Sequence, residues 1–583
     1  MKIKEAAQRS GLSAKTVRYY EECRLLTVSR SANTYREYSE ENVQELLRIR
    51  QMRELGIAVA DIRLWTDGVI STRELLNKRR AELEKENRLG SRQRELCEAL
   101  LAGRTMQQAE QAFAESDSVM DGPAPVGPFV LGVDIGTTTV SAQVLSLTEK
   151  RPAATCTVEH HAALTLPEAP DAYAEDAEAL LARAEALVRS LCASFPDIRA
   201  IGITGQMHGI VCLGEGGEVC SPLYTWQNAF GSRKADGRTL TEEIREKTGW
   251  EVPTGYGLCT CYALRRLGMF PAGAAKTVTI MDALAARLCG AAAVPMHPTN
   301  AAGLGLYDLA TGAFDLRALE RLGIPATLLP AVRAGYGTVG RYGDIPVSMG
   351  IGDNQAGLFA SLREEGQVLV NVGTGSQVSR IADSALPVGG GIEVRPYLDG
   401  RYIRSGAALC GGRAYAALAD FVKQTLAAFG VTRPGGEVYA CLNHLAAQAT
   451  AAPTVDTCFS GTRADPQRRG RIDGLGLDTF LPGPFAHGVL EGIVRELHDF
   501  DLHMGGGMGT PVLSGNAMRK NPVLRRLTEE IFGTSCLVPA HTEEAAYGAA
   551  LYGAVSSGVL AEEEAGTFIS YVPAQGPEEK KGE

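Results

Sequence analysis

Two stretches of the chain set glycine and threonine at a sharp turn between apolar, strand-forming runs. In "FVLGVDIGTTTVSAQVLS" (129–146) Asp134 precedes Gly136, Thr137, Thr138 and Thr139, and in "VLVNVGTGSQVSR" (368–380) the turn is Gly373, Thr374 and Gly375. Backbone amides and hydroxyls at such turns can surround phosphate oxygens, and a neighbouring carboxylate can hold magnesium through its water shell. Neither stretch has the GxxxxGK[ST] spacing of a Walker loop, so a phosphate site here has to be assembled from separated segments. Asp353, in "GIGDNQAGLFAS" (350–361), is a carboxylate following a glycine. That position suits a helix cap or a group that accepts a hydroxyl proton. "ITGQMHGIV" (203–211) ends an apolar strand on Gln206, Met207 and His208. Donors, acceptors and an apolar contact together can recognise a polyol, although an isolated histidine is as readily structural.

Two phosphate-gripping hairpins so far apart in the chain imply two similar halves facing one another across a cleft. The 583 residues are enough for several folding units. A composition of 45% hydrophobic and 22% charged residues is that of a water-soluble globular protein. No run reaches the roughly 18 apolar residues of a membrane span, and Met1–Arg9 alternates charged and apolar residues, unlike a signal peptide. A cytoplasmic location with no membrane partner is therefore expected. The 13 cysteines are scattered without a CxxC pair, which fits reduced thiols; the neighbours Cys259 and Cys261 read as packing residues.

Residues 1–38 hold eight Lys or Arg and four Glu, a balance of +4 in a chain whose net charge is −10. A basic head on an acidic body points to a polyanion met by the head alone. Ile3–Arg9 reads as a short helix, Gly11 as a turn, and Ser13 as the cap of a second helix ending near Glu22. Val17 and Tyr20 then face a core, leaving Lys15, Thr16, Arg18 and Tyr19 for a groove and its phosphates. A loop or wing carrying Arg36 follows, then a helix capped by Ser39. These segments, "KIKEAAQRSGLSAKTVRYYEECRLL" and "YREYSEENVQELLRIRQMRELGIAVADIRLW", resemble the DNA-binding domain of MerR-type regulators. The resemblance implies an all-α winged helix-turn-helix over residues 1–70 that binds double-stranded DNA. It also implies a long dimerisation helix over 71–114, and hence a homodimer. Leu76, Leu83, Leu89 and Leu96 give that stretch a seam, interrupted by Gly90. A Pro/Gly-rich linker spans 115–128.

Beyond the linker the two hairpins, "GIGDNQAGLFAS", "LSGNAMRKNPVLRRLTEEIFG" (513–533) and "EEAAYGAALYGA" (543–554) together resemble the FGGY carbohydrate kinases. The family implies an α/β fold of two actin-like (ribonuclease H-like) domains around a cleft, here 129–346 and 347–568, followed by a tail over 569–583. It implies ATP and Mg2+ as cofactors. Carried over motif by motif, Asp134 organises magnesium. Gly136, Thr137, Thr138, Thr139, Gly373, Thr374 and Gly375 approach the phosphates. Gly411 and Gly412 of "LCGGRAY" either line the nucleotide pocket or simply form a turn. Gly515 and Asn521 approach the adenosine. Asp353 matches the catalytic base and, with Asn354, Gln206, Met207, His208, Trp226 and Gln227, the sugar site.

"QMHG" is shared by the xylulose-type and sedoheptulose-type kinases and implies a ketose, whereas "TWQNAFGSR" (225–233), "GDNQA" and "TGYGLCTCYALRRL" (254–267) look closer to sedoheptulose kinases than to xylulose kinases, which implies phosphorylation of the terminal hydroxyl of sedoheptulose. One departure stands out: Asn228, Ala229 and Phe230 occupy the place of Asp-Gly-Arg, removing a negative and a positive side chain together. The sequence thus leaves open an active ketose kinase for sedoheptulose, xylulose or another ketose with a DNA-binding head. It equally leaves open a regulator whose kinase fold only senses sugar or ATP, and a head that serves protein contacts.

Overall fold

The computed structural model describes residues 1–23, 25–26, 28–30, 36–85, 125–462, 465, 467–507 and 509–573. The N-terminal head opens with α1 (Ile3–Ser10), closed by Gly11 at φ 67°, and α2 (Ala14–Glu22), whose first turn is capped by Ser13 Oγ accepting from Thr16 N. A hairpin of β1 (Ser29–Arg30) and β2 (Arg36–Glu37) forms the wing, the tip of which lies outside the described residues. α3 (Glu40–Glu54) starts on a reciprocal cap between Ser39 and Asn42 and is followed by α4 (Val59–Thr66) and α5 (Thr72–Lys85). Val17 and Tyr20 are buried with Leu46 and Ile49, so the apolar face expected of α2 forms the head's core. Of the helix expected over 71–114, residues 86–114 lie outside the described residues, as does most of the expected linker.

The rest of the chain builds two large sheets beside several two- and three-stranded ones. The first contains β3 (Phe129–Ile135), β4 (Thr139–Ser146), β5 (Arg151–Glu159), β6 (Ile198–Gly205), β7 (Thr338–Tyr342) and β8 (Ile345–Gly352), in the order β5-β4-β3-β6-β8-β7. β3, β6 and β8 run parallel, while β4 and β5 form an antiparallel meander on one side and β7 pairs antiparallel on the other. Buried on both faces, the parallel strands read as near-continuous apolar runs. α6 (Ala177–Ser194) and α8 (Ile280–Cys289) pack on this sheet; between them come α7 (Gly257–Arg266) and, after them, α9 (Pro298–Leu304) and α10 (Asp353–Ser361).

The second sheet repeats the plan. β9 (Val368–Val372) and β10 (Ser376–Ala382) form the hairpin, extended on one side by β12 (Tyr402–Ala408) and β11 (Glu393–Pro396). On the other side β13 (Pro511–Ser514) and β14 (Leu537–Pro539) run parallel to β9, with β15 (Tyr571–Pro573) antiparallel at the edge. Helices α11 (Gly412–Ala428), α12 (Gly435–Ala447), α13 (Pro482–His503), α14 (Asn516–Lys520) and α15 (Pro522–Phe532) accompany it. The division expected between residues 346 and 347 falls inside β8. Val347–Gly352 pairs with β6, which keeps that strand in the first sheet.

α16 (Glu544–Ser556) returns from the second half to pack on β3 and β6 and to cross α10. The crossing depends on glycine: a Cβ on Gly548 would lie 1.9 Å from Ala356 O, and one on Gly202 of β6 would lie 1.7 Å from Ala549 O. α16 is thereby pressed against both the first sheet and the helix that begins with Asp353. The head sits against the same half, with α4 beside α6 and β5, and Ser190 Oγ donates to Asp67 Oδ2 at 2.9 Å.

Candidate active site

The two glycine-threonine turns lie at the equivalent hairpins of the two sheets. Asp134 is the second-last residue of β3, and the turn beyond it closes with Gly136 N donating to Thr139 O at 2.9 Å. Trp226 Nε1 donates to Thr137 Oγ1, which draws a largely exposed tryptophan onto this turn, while Gln227 lies exposed beside it. In the second sheet Gly373 N donates to Gly375 O at 2.9 Å. Gly411 and Gly412 pack behind that turn, since added Cβ atoms would lie 2.4 Å from Gly375 O and Gly373 O respectively. Gly412 N and Arg413 N donate to Gly373 O and Thr374 O, so both glycines buttress the turn from behind.

Gly515, at φ 88°, closes on Asn371 and Val372 of β9. Asn521 caps α15, its Oδ1 accepting from Val523 N and Leu524 N. Its Nδ2 donates to Asn443 Oδ1, which also accepts from Tyr415 Oη. The amide read from sequence as facing adenosine therefore has a structural duty at this helix start.

Asp353 is the first residue of α10, where the helix dipole favours an anion. Gly352 is pinched just before it, as a Cβ there would meet Gln355 Oε1 at 2.4 Å and Met207 Sδ at 2.6 Å. That contact sets the start of α10 directly against the Gln206–His208 segment. Burial raises the Asp353 carboxyl above its ordinary range; the Asn354 N–H, 2.7 Å from Oδ1, and the Arg395 guanidinium act the other way. Asn354 Nδ2 is itself buried with no hydrogen-bond partner.

Asp134 is pushed up to about 8 by burial, with the Asp353 and Glu543 carboxylates adding to the effect, and its Oδ1 is buried without a hydrogen-bond partner. The orphaned Asp134 oxygen is a hard donor that fits a divalent cation otherwise surrounded by water and phosphate oxygens, while among the described residues no three carboxylates come close enough to hold a metal by themselves. Glu543 Oε2 accepts from Ser141 Oγ at 3.0 Å, linking the start of α16 to β4.

In the Gln206–His208 segment, Gln206 Nε2 donates to Glu175 Oε2 at 2.9 Å and reaches Gly136 O at 3.4 Å. Burial raises the Glu175 carboxyl to about 7. His208 sits at φ 72°, a rare backbone conformation for a residue with a side chain, and stacks on Tyr256 at 4.3 Å. Its Nδ1 lies 2.7 Å from Gly303 O; a carbonyl can only accept, so Nδ1 carries the proton. At the departure in the 228–230 segment, Phe230 is buried with the Arg233 guanidinium 4.1 Å over its ring, and Asn228 Oδ1 accepts from Phe230 N. Arg233 pairs with Asp171, so apolar packing and a displaced ion pair occupy this corner. Sequence reading missed Glu175, Tyr256, Arg395 and Glu543 as residues. Tyr256 and Glu543 lay inside quoted motifs, and nothing local marks Arg395.

In the head, Lys15 and Arg18 are exposed on α2. Thr16 Oγ1 bonds Ser13 Oγ, and the Tyr19 ring packs against the core beside Tyr20. Arg36 is paired with Glu21 at 2.7 Å, so of the five candidate DNA contacts it is the one already bound to a carboxylate within the head.

Residues 129–360 match the N-terminal domain, and residues 370–557 the C-terminal domain, of the FGGY family of carbohydrate kinases. The chain belongs to that family. It is a carbohydrate kinase with an N-terminal extension, since residues 1–68 match the MerR HTH family of regulatory proteins. The kinase is 27% identical over 476 residues to a sedoheptulokinase of Mus musculus, covering 73% of this chain and 97% of the relative. It is 27% identical over 271 residues to a xylulose kinase of Streptomyces rubiginosus, covering 44% of this chain and 54% of that relative. The fold matches a gluconate kinase of Lactobacillus acidophilus with a TM-score of 0.65 at 20% identity, over 76% of this chain and 92% of that one. The two-domain α/β architecture is thus the family's. Among the described residues no helix is long and apolar enough to cross a membrane.

Proposed function

We propose that the kinase transfers the γ-phosphoryl group of ATP to the terminal hydroxyl of a ketose, sedoheptulose being the preferred acceptor. The observation that carries this reading is the close packing of Gly352, the residue before Asp353, on Met207 of the Gln206–His208 segment. The near-complete coverage of a sedoheptulokinase, against about half of a xylulose kinase, supports the choice of sugar. In the proposed reaction Gln206, His208 and the Tyr256 ring orient the sugar. Asp353 accepts the hydroxyl proton as the oxygen bonds to phosphorus and ADP departs. A carboxyl raised by burial is a better proton acceptor once ionised, and the alcohol acidifies only as the new bond forms. Residues 136–139 and 373–375 surround phosphate oxygens through the amides and hydroxyls that do not close the turns, since Gly136 N and Gly373 N are bonded to Thr139 O and Gly375 O. Asp134, supported by Glu543, would hold Mg2+, which supplies charge neutralisation on the phosphates.

We infer further that Lys15 and Arg18 carry double-stranded DNA binding, Thr16 and Tyr19 lying on the same helix, and that the chain pairs as a dimer through the helix beginning at Thr72. A docked head on the first half puts DNA binding and a closing cleft in one molecule, which suits transcriptional control by sugar supply. The test is a ranking of kcat/KM over sedoheptulose, xylulose, fructose and glycerol with Mg-ATP. Sedoheptulose leading by tenfold or more supports the assignment; another acceptor in first place replaces it. Saturable sugar binding without turnover of any acceptor supports a sensor instead.

A further inference from the structure

Phosphoryl transfer needs the base and the sugar-reading side chains at a fixed separation, and one short helix touches both. β7 supports the outer edge of β8 as far as the Thr338–Ser348 pair, with Met349 N reaching Gly337 O just past it. Beyond Ser348 the same edge of β8 presents Gly350 and Gly352, because residues two apart on a strand point their backbone groups to the same side. α9 takes over there with side chains. Asn300 Nδ2 donates to Gly350 O at 3.0 Å, and Thr299 Oγ1 accepts from Gly352 N at 3.2 Å. Both side chains are buried, at 1% and 0% exposure, so these bonds face no competition from solvent. Thr299 Oγ1 is oriented in turn by His297 Nδ1 at 3.0 Å, and Asn300 Nδ2 also reaches Thr279 Oγ1 at 3.5 Å. At its other end the same helix offers Gly303 O to His208 Nδ1, and the Cβ position of Gly303 lies 3.3 Å from Met207 Cε.

We propose that Thr299 and Asn300 are positioning residues for phosphoryl transfer: by completing the ladder of β8 with side chains they fix the backbone entering Asp353, in register with the His208 that α9 holds. Neither residue touches the reacting atoms, and the proposal rests on Asp353 acting as the base. Their chemistry is specific. Thr299 must present an acceptor to a buried N–H, and Asn300 a donor to a buried carbonyl. Valine matches threonine in shape and lacks the oxygen, whereas serine keeps it.

The test uses the full chain with Mg-ATP and the preferred ketose, with kcat expressed per site titrated calorimetrically with ADP, so that loss of folded protein is not read as loss of rate. Thr299→Val lowers kcat about 10- to 100-fold, the range set by misplacing a reacting group by a fraction of an ångström to an ångström, while the KM for ATP stays within twofold. Thr299→Ser recovers kcat to within about threefold. Should Thr299→Val fail to fold, Asn300→Ser, which shortens the donor away from Gly350 O, is read the same way. A kcat within twofold of the unaltered chain in Thr299→Val, or equal losses in Val and Ser variants, overturns the proposal while Asp353→Asn is inactive. An active Asp353→Asn, or an unaltered chain that phosphorylates no ketose, overturns the base assignment and this proposal with it.

Discussion

Gly548→Ala is the substitution whose two physical effects most nearly oppose each other. Within α16, alanine is intrinsically a better helix residue than glycine by about 0.8–1 kcal/mol, so the isolated helix gains. In the folded kinase the new Cβ would lie 1.9 Å from Ala356 O and 2.6 Å from Ala356 C, backbone atoms that cannot rotate away. α16 cannot retreat toward the first sheet, since the Gly202 Cβ position already lies 1.7 Å from Ala549 O. Relief therefore requires α10 to move by on the order of 1 Å, and such overpacking costs about 1–3 kcal/mol. The overpacking term is the larger over most of its range, and the net loss is up to about 2 kcal/mol. Because α10 begins with Asp353, the same displacement moves the proposed base, for which a roughly 100-fold drop in kcat is the expected scale. Thermal denaturation with steady-state kinetics on the purified chain reads both. A variant with raised thermal stability and unchanged kcat would refute the reasoning, because it would mean that the α10–α16 crossing neither limits packing nor places the base.

Other perturbations read other parts of the account. Glu175→Gln tests a buried carboxyl: folded Glu175 keeps its proton to about pH 7 while the unfolded group releases it near 4.5, so its contribution falls as pH rises across that window and is flat above it. The variant lacks this dependence and gains up to about 3 kcal/mol on the unaltered chain between pH 4.5 and 7.5, measured by urea denaturation; parallel stability curves would contradict the burial argument. Arg18→Ala should weaken the mobility shift on DNA upstream of the coding region and lower the slope of log affinity against log salt by about one unit, where an unchanged slope excludes a phosphate contact. Asn521→Ala removes the cap of α15, costs about 1 kcal/mol in thermal stability and raises the KM for ATP, whereas a KM effect without destabilisation would return the residue to direct nucleotide contact.

How much of this was legible in the sequence depended on how local the determining physics is. Caps were readable, because Ser13 and Ser39 act on amides three residues away, and so was the burial of Val17 and Tyr20, which follows helical periodicity. The two hairpins and their turns were readable for the same reason. The boundary at 346 cuts through β8 because that strand owes its place to parallel pairing with β6, a partner far from it in the sequence. Asn521 was assigned by motif to the nucleotide, yet its cap of α15 and its bond to Asn443 appear only when α12 is folded beside it. Arg36 carried a charge that suits DNA, and only the folded wing brings it to Glu21. Glu543 meets Ser141, and Arg395 comes within electrostatic range of Asp353, through the stacking of the two halves, a relation no local pattern encodes.

The central claim is that the cleft still performs chemistry on a ketose with Asp353 as its base, and phosphorus NMR of a reaction containing the full chain, Mg-ATP and sedoheptulose tests it most directly. The account predicts a new phosphomonoester resonance, split by the two protons of a terminal CH2, growing as the γ-phosphate signal of ATP is lost and absent with Asp353→Asn. An unaltered chain that leaves the ATP signals intact with every ketose offered, or an Asp353→Asn variant that makes the same product at the same rate, would contradict it.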